Sequence, residues 1–577
     1  MPIPTSAFSL CRSQRLSLAL ALALAFVLLG MALILSPRQA IAEQLLITGT
    51  LYTAEPDYPV AEAVVIDQGR FVFVGSLDEA TAMIDAEHSR IDLGSNVAYP
   101  GFIEAHGHLS SLGTALKNLD LTQAKSYQDI VNLVATAVAN AVPGQVITGR
   151  GWHQSKWFTQ PAVTVDGFPT HQSLSSVSPN NPVVLGHANG HTALLNAAAM
   201  QQVNITAKTP TPVGGVIVKD RRGNPTGILH ENAIDLAQSL TADTVASAKA
   251  AIRIAQSHAL SWGITNFHDA GAGRVEIQAQ QELDADHELK LRIYTMVSAQ
   301  DPDLVDHWLQ RKPIIAQQDQ RLTIASFKAV MDGALGSRTA WLHQPYSDDP
   351  DTSGVQSFDE ERLLDIMQRS NANGWQINTH AIGDKANTRV LDAIAKAKLG
   401  QRDHRFRIEH AQHLVPNDIQ RFADLGVIGS VQTIHLSSDR PWAIARLGKE
   451  RIESGAYVWR DMLNAGVHLA NGSDVPVEPI NPIANFYAAV TRKTLSGTPE
   501  NGFEAAQRLS RQEALASLTR WNAYAGFQEE SLGSIKVGKR ADLTITNQDL
   551  MSVAEDELLA TTIAMTIIDG EIVFSAP

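Results

Sequence analysis

Hydrophobic residues make up 44% of the 577 residues, and the formal net charge at pH 7 is −14. A chain of this length exceeds one small core, since domains average about 150 residues, although α/β barrels with insertions reach about 400 or more. The acidic balance argues against nucleic acid and anionic lipid as partners, because both carry negative charge.

Residues 1–42 are predicted to be a secretory signal peptide. Arg12 and Arg15 precede an apolar run at residues 16–35, and the cleavage signature Ala40-Ile41-Ala42 follows. The alternative is an uncleaved membrane anchor, because the apolar run is long enough to cross a bilayer. Cleavage is favoured, which gives a mature chain beginning at Glu43 in the periplasm or outside the cell.

Loss of this segment changes the chemistry available to the mature chain. The segment contains the single cysteine and three arginines but no acidic residue, so the mature net charge is about −17. Without cysteine there is neither a disulfide nor a thiolate ligand. Any metal ion must therefore be held by histidine, carboxylate or a modified lysine.

Short strand patterns cluster at both ends of the mature chain, in residues 43–98 and 531–577. Residues 565–568 and 572–574, for example, are apolar runs separated by an Asp-Gly turn. Because the two clusters are alike and flank the remainder of the chain, we expect one β-sandwich domain built from both ends.

Residues 99–530 alternate apolar strand-like segments with helical patterns, which is typical of parallel βαβ units. Eight such segments predict an α/β fold of the (β/α)8 TIM-barrel type, with catalytic groups at the carboxyl ends of the strands. Residues 114–240 interrupt the alternation, and we expect a long insertion after the first barrel strand that caps the site. The predicted strands are residues 100–108, 263–269, 291–296, 324–331, 376–380, 406–410, 428–435 and 467–474.

Metal-binding residue types lie in five of these segments. His106 and His108 are two positions apart, so in a strand both imidazoles point to one face and suit a divalent ion. Each residue alone has a structural explanation, such as a core histidine or a helix-capping aspartate. Five segments that carry such residues in barrel order favour a single site. The remaining members are Lys328, His380, His410 and Asp474.

The order His-x-His, Lys, His, His, Asp resembles the amidohydrolase superfamily of metal-dependent hydrolases. Finer segments resemble its YtcJ-like branch, the amidohydrolase-3 group that includes N-substituted formamide deformylase; the most specific are residues 332–340, 380–384 and 407–412. Glu104 stands where the superfamily usually has Asp, and Thr433 where the branch often has Pro. Neither is a proposed ligand, and both bear on substrate preference.

The resemblance implies one or two divalent ions, with zinc the default for a histidine-rich site. Lys328, carboxylated by CO₂, bridges them, and its burial favours the neutral amine that carbamate formation needs. Asp474 carries a proton from water to the departing nitrogen, so the implied reaction is hydrolysis of a non-peptide C–N bond of amide or formamide type. The implied ligands are His106, His108 and Asp474 for one ion, His380 and His410 for the second, and Lys328 between them.

The predicted substrate contacts are His191, Trp152, Glu231, Asp332 and Arg338. For the insertion residues the structural alternatives are cap packing at Trp152 and an ion pair between Glu231 and Arg338. The expected partner is a small-molecule substrate, and homo-oligomerisation is left open. Two other functions remain on the same fold: a metal-dependent esterase or other hydrolase, and a non-catalytic exported binding or regulatory protein.

Overall fold

A computed structural model describes residues 44–84, 88–154, 157–188, 192–212, 215–241, 244–317, 319–400 and 403–577. The predicted signal peptide and His191 lie outside the described residues. Across these ranges, no helix combines the length and the apolar character needed to cross a membrane.

The strands and helices of the described residues are numbered in chain order. The strands are β1 Gln44–Tyr52, β2 Val60–Asp67, β3 Arg70–Gly75, β4 His88–Pro100, β5 Phe102–Gly107, β6 Leu119–Asp120, β7 Ile147–Trp152, β8 Thr164–Val165, β9 Phe168–Pro169, β10 Val183–His187, β11 Thr192–Leu195, β12 Gly215–Lys219, β13 Pro225–Glu231, β14 Ile264–Ala272, β15 Arg292–Ser298, β16 Leu322–Val330, β17 Gln376–Ala381, β18 Arg407–His410, β19 Ile428–Val431, β20 Leu469–Asn471, β21 Leu543–Thr546, β22 Ile563–Ile568 and β23 Glu571–Ser575. The α-helices are α1 Leu77–Met83, α2 Leu109–Lys117, α3 Tyr127–Ala139, α4 Gln172–Val177, α5 Ala197–Gln202, α6 Gln238–Thr241, α7 Val245–Ser261, α8 Arg274–Ala285, α9 Pro302–Leu309, α10 Glu360–Asn373, α11 Asp384–Ala397, α12 Pro416–Asp424, α13 Thr433–Gly455, α14 Trp459–Asn464, α15 Pro482–Thr491, α16 Arg511–Ser517 and α17 Arg520–Ala525.

Eight parallel strands form the central barrel in the order β5, β14, β15, β16, β17, β18, β19 and β20. β20 lies against β5, so the sheet is nearly closed. All residues of β5, β18, β19 and β20 are buried, which explains why these segments lack an alternation of polar and apolar residues. The predicted α/β barrel is confirmed.

The predicted strand at residues 428–435 is too long. β19 ends at Val431 and α13 begins at Thr433. The N–H of Thr433 donates to Asn471 Oδ1 at 3.1 Å, and its hydroxyl donates to the carbonyl oxygen of Asn485 at 2.8 Å. These contacts from distant parts of the chain fix the start of the helix, and they are not visible in a local sequence pattern.

Both ends of the described chain contribute to one seven-stranded sheet, in the order β23, β22, β21, β4, β1, β2 and β3. β4 joins the two ends, because it pairs with β1 on one side and with β21 on the other. The sheet curls so that β3 approaches the segment before β21, where the N–H of Phe71 donates to the carbonyl oxygen of Lys539 at 3.0 Å. The layers of the predicted sandwich are therefore parts of one continuous sheet, whose inner face buries residues such as Ile47 and Ile545.

The insertion forms a mixed sheet of its own between α2 and α7, in the order β12, β13, β11, β10, β7 and β6. Separate apolar clusters cover its two faces, one around Trp152 and the other around Leu229. α2 packs closely on α7 next to the insertion. A Cβ atom at Gly113 would lie 1.9 Å from the carbonyl oxygen of Ala251, so only glycine fits at that contact.

Candidate active site

All six predicted metal ligands lie at the same end of the barrel. His106 belongs to β5, and His108 is the residue that precedes α2. Lys328 lies in β16, two residues before its end. The others are His380 in β17, His410 at the end of β18 and Asp474 just after β20. The parallel order of the strands brings these positions together.

Three of the six residues form a compact cluster. One ligand atom each from His106, His410 and Asp474 lies within 4.8 Å of the others, and all three residues are buried. The other three residues adjoin this cluster. His108 Nε2 is 3.1 Å from Asp474 Oδ1, and Lys328 Nζ is 3.2 Å from His106 Nε2. The rings of His380 and His410 have centroids 4.4 Å apart.

Hydrogen bonds fix the orientation of two of these imidazoles. The Nδ1–H of His106 donates to Glu409 Oε2 at 2.5 Å, and both side chains are fully buried. The Nδ1–H of His410 donates to Gln432 Oε1 at 2.7 Å. In each ring the bound nitrogen leaves the Nε2 lone pair available on the side of the cluster, which is the usual arrangement of a metal-binding histidine.

His380 uses the opposite nitrogen. Its Nε2–H donates to the carbonyl oxygen of Gly333 at 3.2 Å, which leaves the Nδ1 lone pair available. Burial lowers the pKa of His380 to about 3, and the neighbouring charge of Lys328 acts in the same direction. Burial also lowers the pKa values of His106 and His410. His106, His380 and His410 are therefore neutral at pH 7, as metal ligands must be.

Lys328 and Asp474 supply the charges of the site. Burial lowers the pKa of Lys328, and the carboxylates of Glu409 and Asp474 oppose that effect. Burial acts to raise the pKa of Asp474, but the hydrogen bond with His108 and the electrostatic interaction with the surrounding imidazoles hold it well below its usual value. Neutral imidazoles around an ionised carboxylate form a donor set that fits a divalent cation.

Glu104 connects β5, the first strand of the barrel, to the segment that follows β20, the last strand. Its Oε1 accepts from the backbone N–H groups of His106 at 3.0 Å and Ser473 at 2.8 Å, and its Oε2 accepts from the Ser473 hydroxyl at 2.7 Å. Asp474 N–H in turn donates to the carbonyl oxygen of His106 at 2.7 Å. Glu104, which stands where the superfamily usually has Asp, therefore holds the backbone of the predicted ligand His106. It also holds Ser473, which directly precedes the predicted ligand Asp474.

The model of the amidohydrolase family matches residues 90–574. The chain belongs to the amidohydrolase family. Among curated relatives, Protein LONG AFTER FAR-RED 3 of Arabidopsis thaliana is 32% identical over 93% of this chain and 92% of its own. The putative amidohydrolase YtcJ of Bacillus subtilis is also 32% identical, over 91% and 98%.

Another relative is the N-substituted formamide deformylase of Arthrobacter pascens, which is 27% identical over 91% of this chain and 97% of its own. Among solved structures, an uncharacterized metal-dependent hydrolase from Pyrococcus furiosus superimposes with a TM-score of 0.72 at 29% identity. That match covers 88% of this chain and 100% of the other. The amidohydrolase described here is therefore a metal-dependent hydrolase, and its cluster of His106, His410 and Asp474 could hold a divalent metal ion.

The predicted substrate contacts that the structure describes do not form a cluster as the predicted metal ligands do. Trp152 is fully buried in the insertion, where its indole N–H donates to Leu185 O at 3.0 Å and its ring packs against His187 with centroids 4.6 Å apart. Glu231 is an exposed residue at the end of β13. Arg338 does not pair with Glu231; its guanidinium contacts both carboxylate oxygens of Asp348, at 3.1 and 3.0 Å.

Asp332 is closest to the cluster among the predicted substrate contacts, 3.4 Å from His380 Nε2. Its carboxylate is buried and accepts from the backbone N–H groups of Trp341 at 2.8 Å, Ile382 at 3.0 Å and Gly383 at 2.8 Å. Burial raises its pKa to about 7. Asp332 therefore anchors the loops around His380 in this structure.

Four buried residues that contact the ligands or their loops are absent from the sequence-based site. Glu104, Glu409 and Gln432 hold ligands as described above, and Asp269 accepts from the N–H of Leu109, directly after His108, at 2.8 Å. Glu409 directly precedes the predicted ligand His410 in the chain, and this position could have identified it as a site residue from the sequence. For Gln432 and Asp269, the partner is far away in the sequence and only the fold brings them together.

Proposed function

We propose that this protein hydrolyses a non-peptide C–N bond of an amide or formamide. The cluster of His106, His410 and Asp474 carries this proposal, because it joins neutral nitrogen ligands to an ionised carboxylate. Two relatives support the bond type through their names, since one is called an amidohydrolase and the other a formamide deformylase. Ester hydrolysis on the same ligands is the competing reaction.

In the proposed mechanism the cluster residues hold a divalent cation, with zinc favoured by the histidine-rich donor set. The cation supplies Lewis acidity, which polarises the scissile carbonyl group and acidifies water. Asp474 takes up the proton of the attacking water and returns it to the departing nitrogen, a task that suits a carboxylate ionised at neutral pH. Lys328, when carboxylated, adds a second anionic ligand beside His106.

The bond type is tested with the full chain and a matched substrate panel. Formamides, N-acyl amines and esters that share one alkyl group are assayed after metal removal by a chelator and after restoration with zinc. We expect turnover of a formamide or amide that disappears on chelation and returns with zinc. Faster turnover of the matched esters with no detectable amide cleavage would contradict the proposal.

The state of Lys328 has its own test. Lys328→Ala should lower the metal content, and short carboxylic acids should partly restore it by replacing the carbamate. Elemental analysis measures both effects, and 13C labelling with bicarbonate detects the carbamate directly in the wild-type protein. An uncarboxylated lysine in a fully metal-loaded protein contradicts this role.

We also propose that the protein is exported and processed between Ala42 and Glu43. The support is the sequence pattern of residues 1–42. N-terminal sequencing of protein from cell fractions tests it, and an intact apolar segment at residues 16–35 in the membrane fraction would contradict processing.

A further inference from the structure

One side of the barrel opening contains polar groups that the proposed mechanism does not use. α13 begins two residues after β19, and His435 and Asp439 lie four residues apart in its first turns, hence on one face. Gln412, which follows the ligand His410 by two residues, donates from Nε2 to Asp439 Oδ2 at 3.1 Å. This helix face therefore lies next to the loop that leads away from His410.

His435 is the residue that indicates a ligand. It is 8% exposed, and its ring lies parallel to that of His410, with centroids 6.1 Å apart and an angle of 10°. Interaction with His435 acts to lower the pKa of both Asp474 and Asp439, so its ring lies near both carboxylates. Its Nε2 is buried and has no hydrogen-bond partner among the described residues. Native proteins rarely leave such an atom unpaired, because its desolvation costs free energy.

The charges around His435 indicate what kind of group binds there. Glu478 follows Asp474 by four residues, and its carboxylate acts to raise the pKa of Asp439, whereas His435 acts to lower it. No ion pair between described residues includes Asp439 or Glu478, although each is partly buried. The nearest arginine in sequence, Arg440, pairs instead with Glu504 at 2.6 Å. Two carboxylates that interact electrostatically, neither in an ion pair among the described residues, therefore lie near a buried imidazole whose Nε2 is unpaired.

We propose that His435, Asp439 and Glu478 form a subsite for a protonated amino group of the substrate. The proposal rests on the proposed function, because the subsite adjoins the same catalytic cluster. An ammonium group can donate to the Asp439 carboxylate and to the unpaired nitrogen of His435, and its charge offsets the two carboxylates. A substrate with an alkyl group in this position leaves the Nε2 of His435 unpaired and the two carboxylates without a cation, which gives specificity against it.

The test compares two formamides of similar length in the metal-loaded full chain. One is the monoformyl derivative of 1,4-diaminobutane, which is cationic, and the other is N-formylpentylamine, in which a methyl group replaces the ammonium. We expect the wild-type kcat/KM to favour the cationic formamide by at least about ten-fold, the effect typical of one charge-assisted contact. Asp439→Asn should bring the ratio of the two kcat/KM values close to one, and His435→Phe should lower it less.

Asp306→Asn is the matched control, because Asp306 is an exposed carboxylate paired with Arg369 on the outer helices. This control should keep the wild-type ratio. A wild-type preference for N-formylpentylamine, or an unchanged ratio in Asp439→Asn, overturns the subsite.

A binding experiment separates failure of the subsite from failure of the proposed function. If neither formamide is hydrolysed by metal-loaded protein, the assumed reaction is wrong for this class, and calorimetric titration with 1,4-diaminobutane then tests the subsite alone. At least ten-fold weaker diamine binding to Asp439→Asn than to wild type supports the subsite. Equal binding to both proteins, or no binding to wild type, contradicts it.

Discussion

The barrel and the insertion differ in how far their side chains could be assigned from sequence. The six predicted ligands in the barrel come from segments up to 368 residues apart, yet they adjoin one cluster. In the insertion, Trp152 packs in the apolar core and Glu231 lies exposed at a strand end. The difference has a physical reason. In a barrel, a residue at the carboxyl end of a strand is placed at the site by the fold itself, whereas the same residue type in an insertion can serve the core of the insertion instead.

The largest effect is expected in the barrel. Asp474→Asn should lower kcat by about 10²–10⁴-fold, because an amide cannot carry the proton that a carboxylate carries. Steady-state kinetics at matched metal content measures the loss, and Asp306→Asn serves as the control. A wild-type rate in the metal-replete variant would remove Asp474 from its proposed role and weaken the contrast between the two regions.

The insertion should respond in stability rather than in metal binding. Trp152→Ala removes a fully buried indole that stacks on Trp157 and packs against His187. The free energy of unfolding should fall by about 3–5 kcal/mol, with unchanged metal content. Phe158→Ala is the control, since Phe158 is 86% exposed and should leave chemical denaturation unaltered. Loss of metal from Trp152→Ala would show that the insertion contributes to the ligand cluster.

The buried carboxylate behind His106 sharpens the assignment within the barrel. Glu409→Gln keeps the shape of the side chain but removes the charge opposite the Nδ1–H of His106. Metal affinity should fall by about 10–100-fold, the usual cost of losing such a partner. Chelator competition measures the affinity, with Glu360→Gln as a control because Glu360 pairs with Arg389 on the surface. Equal affinity in wild type and Glu409→Gln would make Glu409 a packing residue only.

Acid sensitivity should also belong to the barrel. Burial lowers the pKa of His413 to about 4, although Asp384 opposes the shift. Because its unfolded pKa is about 6.5, the unfolded chain binds more protons below that value, and stability is lost as the pH falls from 6.5 towards 4. Relative to His413→Asn, the wild type should lose about 2 kcal/mol of unfolding free energy between pH 6.5 and 4.5. Urea titrations at both pH values measure this difference, and a parallel pH response of the two proteins would contradict it.

The smallest effect is expected at Arg338, which contacts Asp348 and has a side chain 34% exposed. Arg338→Ala should change the free energy of unfolding by less than about 1 kcal/mol, and kcat/KM by about two-fold or less. A larger drop in kcat/KM at unchanged stability would restore Arg338 as a substrate contact, and would extend the site beyond the barrel strands.

The sequence alone determined the α/β barrel, and it predicted the two-ended β domain, the insertion and the ligand set, because each leaves a local pattern. Strand periodicity predicted the eight barrel strands, and residue types such as His106 and Asp474 carried the metal chemistry. Only the tertiary structure decided that Glu104 joins β5 to Ser473, that Gln432 orients His410 and that Trp152 lies inside the core of the insertion. These contacts join positions whose separation along the chain leaves no local signal, and their geometry is fixed only when the strands pack side by side.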